Sequence, residues 1–125
     1  MTQEHKEILL RDLCGRLPYG VKASYYGADE ECETWDEVDG IVFGYVEIGH
    51  YSLPIERVKR YLFPLSSMTG EQRVIYGDLC YSVIQSLTKN MQSELNELIN
   101  WLNANHFDYR GLIEKGLALE APEGI

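Results

Sequence analysis

A chain of 125 residues, 45% hydrophobic and 11% aromatic, has the size and composition of one globular domain with a core of its own, which excludes general disorder. Twenty acidic against eleven basic residues leave a net charge of −9, which repels phosphate backbones and anionic lipid and argues against generic nucleic-acid or membrane-surface binding. No apolar run approaches the ~20 residues of a spanning helix, and no signal-type segment opens the chain, so a soluble, cytoplasmic protein is expected.

Residues 3–14 place Ile8, Leu9, Leu10, Leu13 and Cys14 at helical spacings, predicting an amphipathic helix stopped by Gly15 and kept from resuming by Pro18. From Leu17 to Leu65 the pattern turns β-like. Val21 to Tyr25 alternates apolar with polar, as a strand with one buried face does. In Ala28 to Asp39, seven of twelve residues are acidic and none is basic, so the first half of that run is expected to be a solvated loop. An EF-type calcium loop does not fit it, because placing Gly40 sixth puts Trp35 first and Val46 twelfth. Asp39-Gly40 has the chemistry of a type I′ hairpin turn between Glu33 to Val38 and Ile41 to Ile48. The second of these runs is apolar on both faces, predicting a covered central strand with a bulge at Gly44. A short strand around His50 to Leu53 and a helical turn after Pro54 follow. Arg57, Lys59 and Arg60 form the one local basic cluster and read as a wet face.

Thr69 and Gln72 match a capping box, so a second helix starts there and runs to about residue 88, with Tyr76, Cys80 and Tyr81 broadening its stripe until it is largely covered. A third helix over Ser93 to Asn105 carries Leu95, Leu98, Ile99, Trp101 and Leu102 on one side. His106-Phe107 makes a corner. Asp108 then caps a short helix over Tyr109 to Lys115, with Gly116 as its stop in a Schellman arrangement and a staple from Phe107 to Leu112. The tail from 120 to 125 is expected to fray.

Two segments, Tyr61 to Thr69 (YLFPLSSMT) and Trp101 to Ala118 (WLNANHFDYRGLIEKGLA), resemble a group of short uncharacterised proteins from phage and prophage regions of gut anaerobic bacteria. The resemblance implies a mobile-element origin and a small α+β domain, and brings no catalytic residue with it. It favours a protein that acts by binding.

Chemistry is sparse. His106, Asp108 and either Cys80 or Ser66 are the only residues from which a hydrolytic triad could be drawn, and no GxSxG elbow accompanies them. His5, His50 and His106 show no HxxxH or HExxH spacing, and no phosphate-binding glycine motif occurs, so no metal, cofactor or nucleotide is expected. Cys14, Cys32 and Cys80 are odd in number and far apart, which predicts free thiols.

The expectation is therefore one α+β domain: an N-terminal helix, a small antiparallel sheet or SH3-like barrel over about 17–53, and three C-terminal helices. The function expected is a non-enzymatic protein-interaction module without cofactor, docking an unidentified protein through the sheet edge or through Tyr19, Tyr25, Tyr26 and Trp35. The alternatives are a small hydrolase or ligand-binding enzyme with its site near His106, and an acidic DNA mimic.

Overall fold

Helix α1 spans Gln3–Arg16 and is opened by Thr2, whose hydroxyl accepts the His5 N–H at 3.1 Å. The computed structural model describes residues 1–26, 33–86 and 91–123. The helix does not stop at Gly15, because that glycine serves a close approach: a Cβ there would lie 2.9 Å from Asn103 Nδ2. It tightens instead into a 3-10 turn at Leu17–Tyr19 and ends at Gly20, where φ is +76°.

Strand β1 is Lys22–Tyr26, β2 Glu33–Val42, β3 Tyr45–Ile48 and β4 Tyr51–Pro54. Asp39-Gly40 is no turn; it lies inside β2, where the register to β3 shifts between Val38 and Gly40. The extra residue lets Val38 and Ile41, which strict alternation would set on opposite faces, both reach the core. The chain reverses one step later at Phe43-Gly44 and again at Gly49-His50, and all four residues have positive φ (51°, 81°, 55° and 69°), the type I′ pattern that suits twisted hairpins. The run expected to be covered on both faces is exposed at its tip, with Phe43 98% accessible and Val42 and Tyr45 about half. Of the acidic run at 28–39, whose first half is expected to be a loop, residues 28–32 lie outside the described residues and β2 begins at Glu33.

A 3-10 turn at Ile55–Arg57 leads into β5, Val58–Pro64, and a second at Leu65–Ser67 leads out of it. β5 pairs antiparallel with β1 (Ala23 opposite Arg60) and parallel with two short strands, β6 at Phe107–Asp108 and β7 at Leu119–Glu120. The sheet order is β4-β3-β2-β1-β5-β6, with β7 also on β5. The sheet is thus larger than the 17–53 block and does not close into a barrel. Glu120, expected to fray, pairs with Leu62, and the Ala121 N–H donates to the Leu62 carbonyl at 2.8 Å.

Thr69 and Gln72 form the expected capping box and open α2, Gly70–Gln85; α3 follows at Met91–Ala104. Among the described residues no third helix follows the sheet, since 109–116 is a series of turns. Those turns still carry the expected terminal bonds. Both Asp108 carboxylate oxygens accept, from the Leu112 and Ile113 N–H groups at 2.9 Å each. The Leu117 N–H reaches the Leu112 carbonyl and the Gly116 N–H the Ile113 carbonyl, with Gly116 at φ +72°, as in a Schellman stop.

Two apolar clusters result. The first joins Leu9 and Leu13 of α1 to Val21 just before β1, to Ala23 and Tyr25 of β1, to Val38, Val46, Ile48, Leu53, Ile55, Val58 and Leu62, and to Leu112 and Leu117. The second gathers Met68, Leu102 and Phe107 with Tyr76, Leu98, Ile99 and Trp101 under α2 and α3. Phe107 and Leu112, the proposed staple, belong to different clusters. Helix α2 is not covered as its composition suggested, for none of its residues is buried.

Leu112 is fully buried, so Leu112→Ala is expected to cost roughly 2–5 kcal/mol in urea melts, by transfer plus cavity. Asp108→Ala, which leaves the buried Leu112 N–H without its acceptor, is expected to cost about 1–3 kcal/mol.

Candidate functional site

On the outer side of β5 a half-open cleft of about 270 Å³ is lined by Tyr19, Gly20, Lys22, Tyr61, Phe63, Ala104, His106 and Ala121. Strand alternation assigns β5 to its two tasks: Arg60 and Leu62 are buried in the interior, while Tyr61 and Phe63, one step out of phase, are half-exposed and line the cleft. Tyr19 arrives from the 3-10 turn that ends α1, Lys22 from the start of β1 and His106 from the corner after α3. Gly20 suits the point where these segments meet, since φ is +76° there, and the flexible Glu37 carboxylate lies beside it. Glu37 stands directly across from Lys22 in the β1–β2 register. The rim thus carries one charge of each sign.

His106 occupies the αL conformation, φ 56°, at the end of α3, where its N–H donates to the Asn103 carbonyl at 3.1 Å. A glycine there would incur no steric cost. Its Nε2 lies 3.4 Å from the Tyr19 carbonyl oxygen. Burial lowers its pKa below the ordinary 6.5, the Tyr19 carbonyl acts against that, and the positive charge of Arg16 adds to it. The lowered pKa favours the neutral imidazole, the form that can accept a proton inside the cleft.

The expected triad is not assembled. Both Asp108 oxygens are committed to backbone N–H groups. Cys80 lies half-buried on α2 beside Tyr76, and Ser66 lines a separate depression with Tyr109 and Glu114. No group of three His, Cys, Asp or Glu suited to a metal occurs among the described residues. Cys14 and Cys80 are free thiols, and Cys32 lies outside the described residues.

Behind the cleft, a buried ionic cluster fixes the corner that carries His106. Asp12 accepts from Arg16 Nε at 3.0 Å, Arg60 Nη1 at 2.7 Å and Arg110 Nε at 3.1 Å, and Arg16 Nη2 donates to the Phe107 carbonyl at 2.7 Å. Arg60, expected on a wet face, is 1% exposed. Burial pushes the Asp12 carboxyl up, but the charges of Arg60 and Arg16 and their hydrogen bonds outweigh that and hold it below its usual value.

Of the aromatics singled out in the sequence, Tyr19 is 43% and Trp35 51% exposed. Lys22 connects them, since it lines the cleft and its Nζ lies 5.8 Å from the Trp35 ring centroid. Tyr25 is not available to a partner. It is 6% exposed, its ring meets Tyr51 at 6.0 Å between centroids, and its hydroxyl presses on Gly49 so closely that a Cβ there would overlap it. The side chain of Tyr26 lies outside what the structure describes. Lys22 and Tyr61 were missed by sequence reasoning, and only the out-of-phase aromatic Tyr61 beside Phe63 could have signalled them. Comparison with protein-family models, curated proteins and solved structures finds no match to this chain.

Replacing His106 by glycine tests how the corner is built. His106→Gly removes the αL strain, so stability at pH 7.5 is expected to be equal or higher by up to about 1 kcal/mol. The wild type loses stability as pH falls below about 6.5 through this residue, and the variant is expected to show a shallower decline between pH 7.5 and 5.5 in denaturant melts.

Proposed function

We propose that the protein is a non-enzymatic interaction module of phage or prophage type, and that the cleft together with Trp35 is its partner site. The observation that carries this reading is the continuous surface from Trp35 across Lys22 to Tyr19, Tyr61 and His106. Aromatic rings and a cation over a concave surface are the chemistry with which proteins seat one anchoring side chain of a partner. A cleft of about 270 Å³ accommodates such an anchor. The strand order supports an open relative of the SH3-like barrel, with a long bent β2 shared between two parts of the sheet and a 3-10 turn between β4 and β5, an architecture suited to a binding domain. The net charge of −9 favours a protein partner over nucleic acid or membrane.

A small hydrolase or ligand-binding enzyme at His106 is the second reading, favoured by the neutral imidazole in the cleft. Photo-crosslinking from positions 22 and 35 in host lysate separates the two. The binding reading expects one dominant protein adduct from both positions, lost with Tyr61→Ala, and no esterase, amidase or phosphatase turnover that His106→Ala abolishes. Such a turnover, or crosslinks indistinguishable from those of a position on β4, would overturn it.

A further inference from the structure

Helix α2 is held to the fold by one side only. Tyr76 stacks on Trp101 at 6.3 Å, and Leu79, Cys80 and Val83 are half-buried with it. The opposite side exposes Val74 at 65%, Tyr81 at 63% and Ile84 at 60%. Together with Gly70 and Gly77 these residues follow a 4-3-4-3 spacing, 70, 74, 77, 81, 84, which is the seam of a two-stranded coiled coil with Val74 and Tyr81 at a and Gly70, Gly77 and Ile84 at d. We propose that this stripe is a homodimer interface, on which a second copy of the chain packs its own α2 in parallel about a two-fold axis.

Size and charge both select that occupant. In a parallel pair the a residue Tyr81 enters a hole bounded by residues 77, 80, 81 and 84 of the other helix. Gly77 leaves that hole wide enough for a tyrosine ring, and nothing in the chain's own fold lies within 4 Å of where a Cβ on Gly70 or Gly77 would be. Beside the seam Arg73 falls at g and Asp78 at e. In a parallel pair g reaches e five residues on in the partner helix. Arg73 donates through Nε to the Met68 carbonyl at 3.3 Å and through Nη2 to the Ser66 carbonyl at 3.4 Å, which leaves Nη1 of each copy to meet Asp78 of the other. An antiparallel pair would bring like flanks together and forfeit both bridges. Residues 69–86 carry Glu71 and Asp78 against Arg73, a net single negative charge of the chain's nine, so little of the chain's general self-repulsion falls on this helix. The seam is only two heptads long, which sets the expected dissociation constant in the micromolar range, roughly 1–100 µM.

Sedimentation equilibrium of the whole protein is expected to show a monomer–dimer equilibrium in that range. Tyr81→Glu is expected to leave a monomer with an unchanged melt. Arg73→Glu and Asp78→Arg should each weaken the dimer about tenfold, and the double exchange should restore it. Ile84→Cys, in a background with Cys14, Cys32 and Cys80 replaced by serine, should oxidise rapidly to a covalent dimer, because in a parallel pair position 84 faces itself. A monomer up to millimolar concentration, a dimer indifferent to Tyr81→Glu, a double exchange that fails to rescue, or an Ile84→Cys variant that does not crosslink would each overturn the proposal. So would capture of a non-identical helix by the stripe of a monomeric protein.

Discussion

One carboxylate holds this fold together across its longest sequence separations. Asp12 of α1 is completely buried and receives three guanidinium groups, from its own helix at Arg16, from β5 at Arg60 and from the turn after β6 at Arg110. Arg16 carries the tie further by donating to the Phe107 carbonyl. Four segments separated by as many as 98 positions are thereby set at fixed distances. Phe107 is a residue of β6 and follows His106, so the cluster that aligns β6 with β5 also aims the imidazole into the cleft. One ring lies against two of these charges: Arg16 and Arg110 stand 5.3 and 5.0 Å from the centroid of Tyr109.

The arrangement is not the cheapest way to fill that volume. Burying ions costs several kcal/mol each, and a well-packed apolar replacement is often as stable. Three positive groups share one negative one, and Arg16 Nη1 and Arg60 Nε have no hydrogen-bond partner among the described residues. Geometry is what the ions add. Apolar side chains in their place would offer no directional bond between α1 and β5, whereas a carboxylate with both oxygens engaged fixes direction as well as distance. The Asp12 cluster is therefore a directional tie: it adds little net stability over an apolar filling of the same volume, but removing one partner leaves buried charge uncompensated.

The elements legible in the sequence were those written in local chemistry. Thr69 and Gln72 announced α2 through the reciprocal bonds they form, and Asp108 and Gly116 announced the bonds that frame the 109–116 turns although no helix lies between them. What was not legible depended on partners far along the chain. Gly15 looked like a stop signal because nothing local reveals that Asn103 will press on it. Asp39-Gly40 looked like the hairpin turn because the cost of Phe43 at positive φ is offset only once Val38 and Ile41 both face inward across a bulge. Arg60 read as surface because its partner Asp12 lies 48 positions away. The cleft suffered the same way: His106 was visible as a histidine at a corner, but its αL conformation, Lys22 and Tyr61 come together only through the β1–β5 and β5–β6 pairings.

The positional role of Asp12 is tested most directly by the unfolding free energy of the wild type and of Asp12→Ala as a function of pH. Because the folded carboxyl titrates below its unfolded value of 3.8, its contribution is complete above that pH and lost as pH falls through the lowered folded value. The variant is expected to lie about 3–5 kcal/mol below the wild type at pH 7, as for a buried pair deprived of one partner. That gap should narrow as the solution is acidified. A gap under about 1 kcal/mol at pH 7, the size of an exposed pair, or one that does not change with pH, would contradict the assignment of Asp12 as the tie on which the fold and the cleft depend.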